Sequence, residues 1–95
     1  MDSFVYTIVC GVTVQAHRSA LKHGLSAAEV VGLWGLFVEQ VWLDDDRPGR
    51  LLRVCCDDAG RWFELVGLVF DGKRVLVIHA MRLRRSTVEQ VRRAQ

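Results

Sequence analysis

Trp62-Phe63-Glu64-Leu65-Val66-Gly67-Leu68-Val69-Phe70-Asp71-Gly72-Lys73-Arg74-Val75-Leu76-Val77-Ile78-His79-Ala80-Met81 is the stretch that decides the fold. Two apolar runs, Trp62 to Phe70 and Arg74 to Met81, flank Asp71-Gly72, a pair favoured in two-residue hairpins because both turn positions need positive φ. With that pair as the loop, Phe70 faces Lys73, Val66 faces Val77 and Glu64 faces His79. Successive side chains alternate between the two faces of a strand. One face then holds Phe63, Leu65, Gly67, Val69, Leu76, Ile78 and Ala80, and is wholly apolar. The other holds Trp62, Glu64, Val66, Leu68, Val75, Val77, His79 and Met81.

Before this hairpin, Leu51 to Cys56 reads as the preceding strand, separated by Asp57-Asp58-Ala59-Gly60. An even-length loop there puts Arg53 and Cys55 on the face of Glu64, with Leu52, Val54 and Cys56 on the core side; an odd-length loop with a bulge breaks that assignment. Val38 to Leu43 is a short strand ended by the polar loop from Asp44 to Gly49. Upstream, Phe4 to Val12 reads as a first strand. Thr13 caps a helix over Val14 to His23, with Lys22 and His23 in its last turn and Gly24 at a left-handed cap. Ser26-Ala27-Ala28-Glu29 is a capping box opening a second helix from Ala27 into the Leu36 region, apolar nearly all round. Ser86 or Thr87 starts a last short helix. The predicted fold is α+β: two N-terminal helices packed on one face of a three- to four-stranded antiparallel sheet, with a short basic C-terminal segment, as one domain over residues 1–95.

Composition agrees with one small globular domain. The chain has 95 residues, 51% apolar and 25% charged, which excludes disordered and collagen-like classes. The longest uncharged apolar run, Val30 to Val38, is far short of a bilayer span, so no membrane association is expected. Three cysteines without CxxC spacing, and no export-type N-terminal segment, point to a reducing, cytoplasmic setting. The net charge of +2 is unevenly spread: residues 82–95 carry Arg82, Arg84, Arg85, Arg92 and Arg93 against Glu89 alone. Such a tail suits RNA phosphates or an acidic partner, or is a solvated helix end complementing its dipole.

The second face brings Glu64, His79 and Arg53 together. Metal-independent RNA cleavage needs a base for the 2′-hydroxyl proton, an acid for the leaving 5′-oxygen and a cation for the phosphate. Glu64 suits the base, His79 the acid, and Arg53 or Arg82 the clamp; Lys22 and His23 read as a helix terminus, with contact to phosphate as the alternative, and Lys22 is counted among the phosphate-binding candidates. The alternative is a structural cross-strand pair worth roughly 0.2–1 kcal/mol. No zinc, calcium or nucleotide motif is present, so no metal or cofactor is expected. His17 faces the core side of its helix, and Trp34, Trp42 and Trp62 read as core or interface anchors.

The order Lys22-His23-Gly24, capping box, hairpins, then Val77-Ile78-His79-Ala80-Met81-Arg82-Leu83-Arg84 resembles the small BrnT-like toxins of type II toxin–antitoxin modules, within the RelE-like ribonucleases. The resemblance covers most of residues 13–85. It implies RNA cleavage on the sheet face opposite the helices, neutralisation by a cognate antitoxin, and a phosphate-binding role for Arg84. Tyr6 is the only tyrosine, so the C-terminal tyrosine of many RelE-like enzymes has no counterpart, and Arg85-Ser86 replaces their Pro-Lys. Two readings follow: a toxin-like endoribonuclease, resembling an mRNA interferase, or a non-catalytic protein-binding module of the same fold. In either, the apolar excess of the second helix and the open sheet face predicts a protein partner or a homodimer.

Overall fold

A computed structural model describes residues 6–9 and 11–95, with side chains from Gly11 onward. Its strands are β1 (Tyr6–Val9), β2 (Val12–Ala16), β3 (Phe37–Trp42), β4 (Gly49–Cys56), β5 (Trp62–Phe70) and β6 (Arg74–Arg82). Among the described residues these form one sheet in the order β1-β2-β6-β5-β4-β3. Two α-helices, α1 (Ala27–Trp34) and α2 (Arg85–Arg93), lie on its opposite faces.

This corrects the predicted architecture in three respects. The sheet has six strands rather than three or four, and β2 pairs with β6 in parallel. The expected first helix over Val14 to His23 is instead β2 followed by a short 3-10 helix, Arg18–Leu21. Val12-Thr13-Val14 is β-branched and finds an open edge at β6, where Thr13 N–H donates to the Lys73 carbonyl and His17 N–H to that of Val77. Pairing with an existing sheet outweighs a helical periodicity that only Val14, His17 and Leu21 supported. Finally, only α1 packs on the expected face, while α2 covers the other. Of the residues read as the first strand, Phe4, Val5 and Cys10 lie outside those described.

The local signals around α1 are realised. Ser26 Oγ accepts from Glu29 N–H at 3.1 Å and the Glu29 carboxylate accepts from Ser26 N–H at 3.0 Å, so two orphan helix donors are satisfied. These bonds hold the Glu29 carboxyl below its usual range. Gly24 has φ +89°, the left-handed conformation expected of it, and ends the turn after the 3-10 helix. Val30, Val31, Leu33 and Trp34 of α1 are buried against Leu51, Cys55, Phe63, Leu65, Val75, Val77 and Ala80. On the opposite face Val91 of α2 packs on Leu52 and Val54, with Val66 and Leu83 beside them.

Registers set which side chains share a face, and two differ from expectation. The Asp71-Gly72 turn forms, with φ +52° and +71° and a Lys73 N–H to Phe70 carbonyl bond of 3.0 Å. Lys73, however, is drawn to β2, and the ladder resumes at Arg74 opposite Phe70. Val75 and Val77 therefore enter the α1 core rather than the open face. Ile78 is then the extra residue of a bulge: Gly67 pairs with Val77, but Val66 pairs with His79. The bulge returns His79 to the face of Glu64, where the unbroken register would have set it opposite Leu65.

In the second hairpin the loop is odd, since Cys56 pairs with Trp62. Asp57 builds it: one carboxylate oxygen accepts from Ala59 and Arg61 N–H, and the other from Arg61 Nε at 2.7 Å. The faces of β4 are thereby exchanged. Arg53 and Cys55 turn toward α1, and Leu52 and Val54 toward α2.

Candidate functional site

Glu64 is the polar centre of the α2 face. Only 2% exposed, it is the one buried charged residue among those described. Its carboxylate accepts from Thr87 Oγ1 (2.6 Å), from the Arg84 backbone N–H (3.0 Å), and from Arg84 Nε (3.2 Å) and Nη2 (2.6 Å). His79 Nε2 lies 2.9 Å from Oε2. Burial opposes ionisation of this carboxyl, but the bonds from the Arg84 side chain, Thr87, His79 and the Arg84 backbone outweigh it and hold the group down at about 2. The same contact raises the already high value of Arg84.

The local sequence explains the convergence. Arg84 is the N-cap of α2 and its side chain caps nothing, so the first N–H groups of the helix need an outside acceptor. Glu64 on β5 holds this end through the N–H of the N-cap residue Arg84 and the Thr87 hydroxyl, and its negative charge suits the positive end of the helix dipole. Thr87 is buried within the first turn of α2, directly over the carboxylate.

An ionised carboxylate only accepts, so the proton between Glu64 and His79 belongs to His79 Nε2. That fixes the imidazole's orientation and leaves Nδ1 for other chemistry. The His79 side chain is 29% exposed and that of Arg84 is 54% exposed, so both reach the surface while Glu64 does not. A concavity of about 250 Å³ opens over them, floored by Leu52 and Val66 and bordered by Thr87 and Gln90. A larger one, about 750 Å³, lies among Asp44, Asp45, Asp46 and Asp71 with Arg47, a charge balance that repels phosphate.

The predicted site residues separate into two groups. Glu64, His79 and Arg84 converge. Arg53 does not: its guanidinium stacks 4.3 Å from the Trp34 ring centre and 3.8 Å from that of Phe37, and donates to the Trp34 carbonyl and Gln40 Oε1. The odd loop after β4 sent it to the opposite face, where it closes the C-terminal end of α1. Arg82 is also turned away, 5.5 Å over the Phe63 ring on the α1 side. Lys22 follows the 3-10 helix and is exposed.

Two residues near the cluster take positions that local sequence did not assign them. Thr87 read as a candidate helix start and instead bonds the buried carboxylate. His23 read as a helix end, yet its ring stands 6.0 Å from that of His79, edge to face at 74°. The Ser19 hydroxyl, bonded to the Ile78 carbonyl at 2.7 Å, ties this segment to β6 beside the bulge. Only the parallel β2–β6 pairing brings the two histidines together, and no local signal reports it.

Among the described residues no three His, Cys, Asp or Glu side chains are grouped to hold a metal ion, and no helix is long and apolar enough to cross a membrane. Cys55 is fully buried, and burial pushes its thiol up to about 12, which makes it an inert core residue. In comparisons with known proteins, no family model, curated protein or solved structure matches this chain.

Proposed function

We propose that the chain is an endoribonuclease that cleaves RNA through the 2′-hydroxyl without a metal, acting as the toxin of a toxin–antitoxin pair, in keeping with its resemblance to BrnT-like and RelE-like proteins. The observation that carries this reading is the buried Glu64 holding both His79 and Arg84 at the rim of one phosphate-sized concavity. His79 is the acid, giving a proton from Nδ1 to the leaving 5′-oxygen. Arg84 spends Nε and Nη2 on Glu64, and its Nη1 is the clamp for the phosphate. Glu64 itself is too well satisfied and too deeply buried to take a proton from substrate. It orients the other two.

The test is incubation of the full chain with RNA in EDTA. Cleavage should yield 2′,3′-cyclic phosphate and 5′-hydroxyl ends, and a 2′-deoxy nucleotide at the cut should block it. Intact RNA under all conditions overturns the reading.

A second reading, a non-catalytic binding module, is favoured by a different observation. Leu36, Phe37, Val38 and Trp42 are exposed on or beside the edge strand β3, Val38 and Trp42 by more than half, and Trp62 is exposed at the start of β5. Such apolar surface marks an association site for a partner protein or a second copy. In the ribonuclease reading this surface is where an antitoxin would sit. Loss of partner binding on Val38→Lys with no RNA cleavage by the parent chain would favour the module.

A further inference from the structure

RNA cleavage through the 2′-hydroxyl requires two proton transfers, and the Glu64–His79–Arg84 cluster supplies a group for only one of them. Arg84 stays charged. Glu64 accepts from four donor groups of its own protein and is 2% exposed, so no 2′-hydroxyl reaches it. The missing group must be solvent-facing, carry a basic lone pair, and lie within one phosphodiester of His79.

His23 meets these conditions. It is exposed, it belongs to the segment pinned along β6 by Ser19, and its ring centre is 6.0 Å from that of His79. Two imidazoles at this spacing can each reach one of the two oxygens in line through a phosphorus, given hydrogen bonds of about 2.6–3.2 Å at either end. Glu64 and Arg84 flank His79, and Lys22 precedes His23 in sequence.

We infer that His23 is the general base paired with His79 as general acid, an assignment that rests on the ribonuclease reading. An unprotonated ring nitrogen of His23 takes the 2′-hydroxyl proton as the 2′-oxygen attacks phosphorus. The bond from phosphorus to the 5′-oxygen breaks, and His79 Nδ1 gives its proton to that oxygen. The products are a 2′,3′-cyclic phosphate and a 5′-hydroxyl; one proton is taken up and one released, so no further reactant is needed. The ionised Glu64 accepts from His79 Nε2 before and after the transfer, and Arg84 Nη1 holds a non-bridging oxygen.

The experiment compares two RNA substrates, one with the natural linkage and one whose 5′-bridging oxygen is sulfur. A thiolate leaves without being protonated, so the sulfur substrate needs the base but not the acid. On natural RNA, His23→Ala and His79→Ala should each lose about 10²–10⁴-fold in rate, the usual size of acid–base catalysis. On the sulfur substrate His79→Ala should recover to within tenfold of the unaltered chain, while His23→Ala stays slow. Because His23 is exposed, His23→Ala should unfold at the same temperature as the unaltered chain. Full activity of His23→Ala, or its rescue by sulfur, would overturn the assignment and leave the ribonuclease reading standing. No cleavage by the unaltered chain would overturn both.

Discussion

Glu64 and His79 are joined at 2.9 Å although the ladder sets Val66, not Glu64, opposite His79. The contact runs diagonally across β5 and β6 and exists because the Ile78 bulge moves His79 onto the face of Glu64. A carboxylate that only accepts makes the imidazole a donor at Nε2. The proton-bearing nitrogen should therefore be visible by NMR. Long-range proton–nitrogen spectra at neutral pH should show protonated Nε2 in His79 of the intact chain. In Glu64→Gln the preference should weaken, because an amide can both donate and accept. Nδ1 protonated and Nε2 bare in the unaltered chain would contradict the assignment.

The same carboxylate makes stability depend on acid. Its folded value of about 2 lies below the ordinary 4.5, so stability rises with pH wherever the unfolded group binds more protons than the folded one. That contribution is fully present above about pH 4.5 and is lost as pH falls toward 2, on the order of 3 kcal/mol in all. Urea unfolding at pH 7 and pH 3 should show the loss. Glu64→Gln, though less stable at pH 7, should show a shallower decline across that window.

Arg53 should matter for stability and not for cleavage. It bridges Trp34 and Phe37 by stacking and donates to the Trp34 carbonyl, one of the orphan acceptors at the end of α1. Arg53→Ala should cost about 1–3 kcal/mol in denaturant unfolding, from lost stacking and a lost hydrogen bond. Its rate on RNA should stay within about twofold of the unaltered chain where both are folded. A hundredfold loss would return Arg53 to the site.

How much of this was legible depends on the range of the forces involved. The capping box at Ser26, the turn at Asp71-Gly72 and the strand from Trp62 to Phe70 rest on neighbours in sequence, and each stands where its residues predict. The Glu64–His79 pairing was anticipated through a register that is wrong at two places, one residue at Lys73 and one at Ile78. The two shifts cancel for the face of His79 but not for Val75 and Val77. Arg53 was misplaced because the length of the Asp57 loop is set by that carboxylate's bonds to Ala59 and Arg61. The proximity of His23 depends on a parallel pairing between distant strands, Thr13 with Arg74 through Ala16 with Val77, which has no local signature.

Gly67 should not tolerate a side chain. A Cβ there would lie 2.7 Å from Trp34 Cη2 and 2.7 Å from Val75 Cγ1, both in the α1 core. Trp34 is buried, so it cannot swing away without opening the helix from the sheet. Gly67→Ala should destabilise by about 1–3 kcal/mol, the usual cost of overpacking. Combined with Trp34→Phe it should cost less than the sum of the two single changes, because the clashing ring atoms are gone. Additive losses would mean that the strain lies elsewhere.

Arg84 separates a phosphate clamp from a structural ion pair. Its Nε and Nη2 engage Glu64 while more than half of the side chain faces solvent. If Nη1 holds the phosphate, Arg84→Ala should lower the cleavage rate by about 10²–10³-fold, the size expected for one preorganised charge contact in the transition state. Arg84→Lys keeps the charge but not the planar fork, so it should recover only a small part of that loss. Both variants also weaken the Glu64 pair, and Thr87→Val provides the comparison, since it removes a Glu64 bond without touching a phosphate contact. Thr87→Val should lower stability by a similar amount and leave the rate of the folded fraction within about threefold. Equal rate losses in Arg84→Ala and Thr87→Val would assign Arg84 to the architecture of α2 and remove it from the chemistry.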